Sequence, residues 1–163
     1  MTRRMTIQGY ADINREIEDL WATERPRIVE EVYQAALLGD RSENASYIYG
    51  KKRLREIDSR LAYLKRQIES VLVIDFNKQM SKETVDFGAF VTIQNIDDDD
   101  AKAVSYRIVD QMEADPDQKR LSIQSPLGKS LLNKRIGDDV ELNLPRGTII
   151  YEILEIHYGP DPE

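Results

Sequence analysis

Gly39-Asp40-Arg41-Ser42-Glu43-Asn44 separates two segments whose apolar residues recur every three or four positions. Before it run Tyr10, Ile13, Ile17, Leu20, Trp21, Ile28, Val32, Ala35 and Leu38, which mark one stripe of a helix. After it, Leu54, Ile57, Leu61, Leu64, Ile68 and Val71 alternate steps of three and four, the seam of a coiled coil. So short a loop makes the two helices fold back antiparallel, with residues 39–44 as the tip of a hairpin. At 1.5 Å per residue, arms of about 30 residues make a rod of roughly 45 Å. A charged loop carried that far from its base does little for folding and is well placed to enter another molecule.

Local signals mark the ends of the arms. Thr6 is a candidate N-cap for the first helix, and Gly39 supplies its flexible C-terminal end. Glu24 interrupts the stripe and Pro26 removes one backbone donor. The spacing then resumes in phase, which predicts a kink there rather than a stop. The arms also differ in charge: residues 5–38 carry a net −4 and residues 45–73 a net +4. An acidic helix beside a basic one is partly self-complementary, and a salt-bridged, solvated face is the simplest reading of it.

Beyond residue 75 the period changes to that of strands. Val85–Ile96 alternates and is rich in β-branched and aromatic residues, with Gly88 as a bulge or bend. The four aspartates at 97–100 form a hairpin loop. They lack the spacing, glycine and terminal glutamate of a calcium-binding loop, so a solvated turn is the preferred reading. Strands follow at Ala103–Val109 and Leu121–Ile123, then a short helix opened by Ser125-Pro126. Val140–Leu144 and Thr148–His157, joined by Pro145-Arg146-Gly147, complete an antiparallel sheet. The fold class is α+β: a coiled-coil hairpin over residues 1–75, then a sheet domain with one short helix over residues 76–163.

Composition narrows the chemistry. Of 163 residues 40% are hydrophobic and 33% charged, so the chain can bury a core and is expected to be soluble. No apolar run approaches the roughly 18 residues of a membrane span, and the first residues do not read as a signal peptide. There is no cysteine, hence no disulfide or thiolate metal site, in keeping with a cytoplasmic location. The only histidine, His157, lies in a strand-like run, which argues against His-based metal sites and catalytic triads. No phosphate-binding glycine loop, nucleophile elbow or metalloprotease motif occurs. No self-sufficient catalyst is visible.

Two constellations remain. Asp40 and Glu43 have the spacing of a capping box, N-cap and N3 of the second helix. The same two carboxylates, one turn apart at an exposed tip, could instead share a divalent cation, and both readings hold if only one is spent on capping. Alone they would bind Mg²⁺ weakly, so a partner would have to supply more ligands. Lys51, Lys52, Arg53 and Arg55 follow Tyr47 and Tyr49, a mixture able to grip a nucleic-acid backbone and stack on bases, although consecutive positions do not share a helix face.

Gly39-Asp40-Arg41-Ser42-Glu43-Asn44-Ala45, continuing through Tyr47 to Asp58, resembles the Gre family of bacterial transcript cleavage factors. The run of basic residues after the tip looks like the GreB branch. Glu24-Arg25-Pro26, Phe87-Gly88-Ala89 and Ser122–Lys129 extend the resemblance over nearly the whole chain. It implies a stalk that enters the secondary channel of RNA polymerase and an FKBP-like domain docked at the channel rim. Asp40 and Glu43 would there help hold the second catalytic Mg²⁺ and orient the attacking water for cleavage of backtracked RNA. Arg41, Ser42 and Asn44 would support the tip, and Lys51, Lys52, Arg53 and Arg55 would contact the RNA 3′ segment. Ser125, Pro126 and Leu127 fall in the polymerase-facing region. Gly50 stands where the GreB branch suggests a donor-bearing side chain.

The protein is then expected to be a monomer that lends carboxylates to the polymerase rather than an enzyme, with no tightly bound cofactor. The resemblance also allows a channel-binding regulator or inhibitor without cleavage, which intact tip carboxylates disfavour. A prolyl isomerase, suggested only by the FKBP-like fold, ranks last because fold does not carry function.

Overall fold

The computed structural model describes residues 2–162. They form two compact units, one spanning Tyr10–Val71 and the other combining the residues before Tyr10 with those from Leu72 onward. Among the described residues no helix is long and apolar enough to cross a membrane.

The first unit is the hairpin. One arm is α1 (Ile7–Asp19), a π-helical turn (Leu20–Glu24) and α2 (Arg25–Leu37); the other is α3 (Ala45–Ile68). Ile13, Leu20, Ile28 and Ala35 are buried on the first arm, and Ile57, Leu61 and Leu64 on the second. The expected discontinuity lies in the π turn. Its wider winding shifts the helical phase, so Leu20 stays buried while Trp21 is 59% exposed, not part of the seam. Arg25 and Lys65 each lie 5.6 Å from the indole centroid. Pro26 follows in the first turn of α2, where a missing N–H is tolerated. Leu38, the last residue assigned to the stripe, also faces solvent.

Gly50 has a packing reason. It is buried, and a Cβ built there would stand 2.4 Å from Val32 Cγ2, so α3 approaches α2 too closely for any side chain. The charge asymmetry of the arms becomes cross-helix ion pairs, Arg60 with Glu16 at 2.7 Å and Arg53 with Glu24. Arg25 with Asp58 at 2.8 Å runs in the opposite sense. Glu24, the interruption in the stripe, is thus the partner of Arg53.

The second unit begins earlier than residue 76. β1 (Arg4–Thr6) pairs in parallel with β2 (Leu72–Ile74), which takes the N-terminal residues out of the hairpin and moves the boundary to Leu72. Met5 is fully buried, and the flanking arginines are held by carboxylates of this unit. Arg3 clasps Asp110 at 3.1 and 2.7 Å, and Arg4 clasps Asp86 at 2.9 and 2.7 Å. Thr6 caps α1 as expected, its Oγ1 accepting from Gly9 N at 2.9 Å. Thr6 also donates, through its N–H and its hydroxyl, to the buried Glu113 carboxylate. A Cβ on Gly9 would collide with that carboxylate at 2.3 Å, so glycine is needed there.

The main sheet has the order β5-β4-β3-β7-β6, with β3 at Phe90–Asn95, β4 at Val104–Val109 and β5 at Arg120–Ser122. β6 (Asp139–Leu144) and β7 (Gly147–His157) form the C-terminal hairpin, and α4 (Pro126–Leu131) is the short helix. The sheet is mixed rather than wholly antiparallel. β5 runs parallel to β4 because the chain between them passes through a 3₁₀ turn at Gln111–Glu113 before returning. The strand expected from Val85 starts only at Phe90, since Gly88 (φ +84°) turns the backbone first. Ala89, Val91, Ile93, Ile108, Leu131, Val140 and Ile153 build the core. Asp97–Asp100 is a solvated turn between β3 and β4, with Asp100 N–H donating to Asp98 Oδ1 at 3.0 Å.

Candidate functional site

The tip closes with Asn44, not Asp40, as the cap of α3. Asn44 has extended backbone, and its Oδ1 accepts from Tyr47 N at 3.1 Å. Its Nδ2 donates to the Ala35 carbonyl at 2.8 Å, tying the start of α3 to the last turn of α2. One amide therefore satisfies an orphan donor of α3 and adds a second donor to the Ala35 carbonyl, which already accepts from Leu38 N at 3.2 Å. The capping box at Asp40 and Glu43 is not formed, because α3 begins two residues beyond where that box would put its N3 position.

Asp40 is released from capping but still held. Its Oδ1 accepts from Ser42 N at 3.0 Å and from Ser42 Oγ at 2.7 Å. Those bonds, the hydroxyl first, keep the Asp40 carboxyl below the usual carboxylate range, so it is ionised at neutral pH. Glu43 is exposed, and its carboxylate has no hydrogen-bond or ion-pair partner among the described residues. Gly39 takes φ +116°, a turn only glycine adopts easily, and no atom stands near its missing Cβ. The Arg41 guanidinium lies 5.7 Å from the Tyr47 ring centroid, beside the Asn44 cap. Arg41, Ser42 and Asn44 thus each have a defined contact at the tip.

Among the described residues no group of three or more Asp, Glu, His or Cys could hold a metal ion. The donor chemistry at the tip nevertheless suits Mg²⁺. Two exposed carboxylates offer hard oxygen ligands, too few for an octahedral ion, so water or a partner must complete the shell.

The four basic residues of α3 expected to contact RNA do not form one cluster. Lys51, Lys52 and Arg55 are exposed. Arg53 is turned inward, bonded to Glu24 and, at 3.3 Å, to Glu56. Lys52 and Arg55 share an open shelf with Ser59, Arg60 and Tyr63. In the second unit, Ser125 is the N-cap of α4: its Oγ accepts from Gly128 N at 3.0 Å and donates to Ser122 O at 2.7 Å. Pro126 is exposed at the first helical position, and Leu127 packs partly against the core. All three have local structural work.

Sequence reasoning missed the buried charges. Arg107 lies inside the second unit with its guanidinium 4.6 and 5.3 Å from the Phe76 and Phe90 rings. It donates to the Gly88 and Gly159 carbonyls at 2.9 Å and pairs with Asp161. An arginine between Tyr106 and the apolar pair Ile108-Val109 was the available signal. Burial pushes the Glu113 carboxyl up, against the bonds from Thr6. The Tyr158 hydroxyl, buried and donating to Thr84 O at 2.6 Å, is pushed up to about 12. Arg4, chiefly, holds the Asp86 carboxyl far below its ordinary value.

Comparison with known proteins covers both units. Residues 3–73 match the family described as "Transcription elongation factor, N-terminal", and residues 80–158 match "Transcription elongation factor, GreA/GreB, C-term". The transcription elongation factor GreB of Haemophilus ducreyi is 40% identical over 154 residues, 94% of this chain and 93% of that protein. GreB of Pseudomonas aeruginosa is 40% identical over 161 residues, 99% and 94% of the two chains. Similar solved structures include GreA factor homolog 1 of Thermus thermophilus, 21% identical with a TM-score of 0.42, covering 96% of this chain and 99% of that one. The GreA/GreB factor of Nitrosomonas europaea is 18% identical with a TM-score of 0.41, covering 96% and 99%. By its two family matches and its identity to full-length relatives, this chain belongs to the GreA/GreB family of transcription elongation factors, on the GreB side.

Proposed function

We propose that this protein stimulates cleavage of backtracked RNA by RNA polymerase, with the hairpin tip entering the secondary channel in the cytoplasm. The observation that carries the reading is the freedom of the tip carboxylates. Asn44 caps α3, so Asp40 and Glu43 both remain exposed and uncommitted to the helix.

Asp40, ionised and held by Ser42, presents a fixed carboxylate oxygen to the polymerase active site. Glu43 reaches from the same turn and orients the attacking water through its carboxylate. Asp40 and Glu43 would help hold an Mg²⁺ shared with the polymerase, which would activate water and stabilise developing negative charge. Lys51, Lys52 and Arg55, exposed on α3, attract the phosphates of the RNA 3′ segment, while Arg53 stiffens the hairpin through Glu24. Ser125, Pro126 and Leu127 shape the polymerase-facing region of the second unit. The protein acts as a monomer and lends groups to an active site it does not contain.

Stalled elongation complexes given the wild-type protein, Asp40→Asn or Glu43→Gln provide the test. Wild type should shorten the RNA. Each variant should lose most of that stimulation while still competing with wild type for the polymerase. Full stimulation by both variants would overturn the metal-handling role. Binding without cleavage by the wild type would leave a channel-occupying regulator as the correct function.

A further inference from the structure

We infer that Ser42 is the positioning residue for Asp40, fixing which carboxylate oxygen the tip presents; this rests on the proposed cleavage role. Both donors of Ser42, its N–H at 3.0 Å and its hydroxyl at 2.7 Å, converge on Oδ1 alone. The Glu43 backbone N–H adds a weaker pull on the same carboxylate, and among the described residues no side chain other than Ser42 donates to it.

The arrangement divides the carboxylate in two. Oδ1 is occupied by the loop, which leaves Oδ2 to act as the single ligand. The Ser42 donors also act together on the side-chain torsion. The backbone N–H alone lets the side chain swing about its Cα–Cβ bond, and the hydroxyl supplies the second restraint. Partners that orient a ligand in this way matter strongly, and their loss costs about 10–100-fold in metal affinity or activity. Neighbouring side chains leave this task to Ser42. Asn44 is spent on Tyr47 N and Ala35 O, and Arg41 lies over the Tyr47 ring. Glu43 is left unrestrained, so the tip pairs one fixed carboxylate with one mobile one.

Ser42→Ala removes the hydroxyl and keeps the backbone donor, whereas Ser42→Thr keeps both. In the free protein, three-bond Hα–Hβ couplings of Asp40 report its side-chain rotamer by NMR. Wild type and Ser42→Thr should give the values of one staggered rotamer, and Ser42→Ala should give averaged values. In stalled elongation complexes, Ser42→Ala should need about tenfold more Mg²⁺ for half-maximal cleavage. Its rate at saturating Mg²⁺ should change much less, and Ser42→Thr should restore the wild-type Mg²⁺ dependence. Averaged couplings in wild type, or an unchanged rotamer and Mg²⁺ dependence in Ser42→Ala, would overturn the inference. Asp40→Asn in the same assay separates the two claims. Loss of stimulation there with a wild-type Ser42→Ala sinks only the role of Ser42, whereas full stimulation by Asp40→Asn sinks the cleavage role beneath it.

Discussion

Carboxylates at the tip and carboxylates in the second unit have opposite surroundings. Asp110 is 2% exposed and clasped by Arg3, and Asp86 is held by Arg4, Lys82 and the N–H of Phe87. Asp40 and Glu43 are exposed, and Asp40 is bonded only within its own loop. A buried charge with a counter-charge belongs to folding, since removing the partner strands it in low dielectric. An exposed charge at the end of a stalk gains the fold almost nothing. The two regions therefore separate stability from function, and mutations should respect the division.

Arg3→Ala should produce the largest loss of stability, about 3 kcal/mol, because it leaves the Asp110 carboxylate buried without its guanidinium. Chemical denaturation would read this as a lower midpoint at unchanged slope. A loss below about 0.5 kcal/mol would show that buried and tip charges differ less than their surroundings imply.

Asp86→Asn should cost about 2 kcal/mol at neutral pH, the scale of a charge-assisted pair. The sign follows from a carboxyl held below its unfolded value of about 3.9. Its contribution is fully present above that value and fades as pH falls toward the folded one. The gap between wild type and Asp86→Asn should thus narrow as pH drops below about 4. A gap that stays constant to pH 2 would remove the Arg4 pair as its cause.

Gly50→Ala should have a smaller effect, about 1 kcal/mol of destabilisation. Overpacking against Val32 costs about 1–3 kcal/mol, partly offset by the roughly 1 kcal/mol better helix propensity of alanine. Adding Val32→Ala should relieve the clash and recover the propensity gain. If Gly50→Ala alone stabilises the hairpin, the close approach of α2 and α3 is softer than its geometry indicates.

How far these features could be read in the sequence depends on how local their causes are. The hairpin was legible because a heptad seam repeats one signal from Leu54 to Val71. Thr6 was legible as a cap because its partner, Gly9, is three residues away. β1 was not, since three residues carry no period, and its partner β2 lies 68 positions further along. The parallel pairing of β5 was hidden for the same reason. Gly50 reads as a weak point in a helix until Val32, across the hairpin, explains it. Trp21 was misplaced because a π turn alters helical phase without an identifying residue. At the tip, position and carboxylates were legible, but the capping residue was not. Asp-x-x-Glu and Asn44 offer competing caps in one loop, and the bond from Asn44 Nδ2 to the Ala35 carbonyl favours the later start.

The most direct test of the division joins both readouts in one protein, Asp40→Asn with Glu43→Gln. Its denaturation midpoint should match that of wild type, as for exposed charges, while its stimulation of RNA cleavage in stalled elongation complexes should vanish. A variant that cleaves like wild type, or one that loses activity only because the hairpin unfolds, would contradict the account.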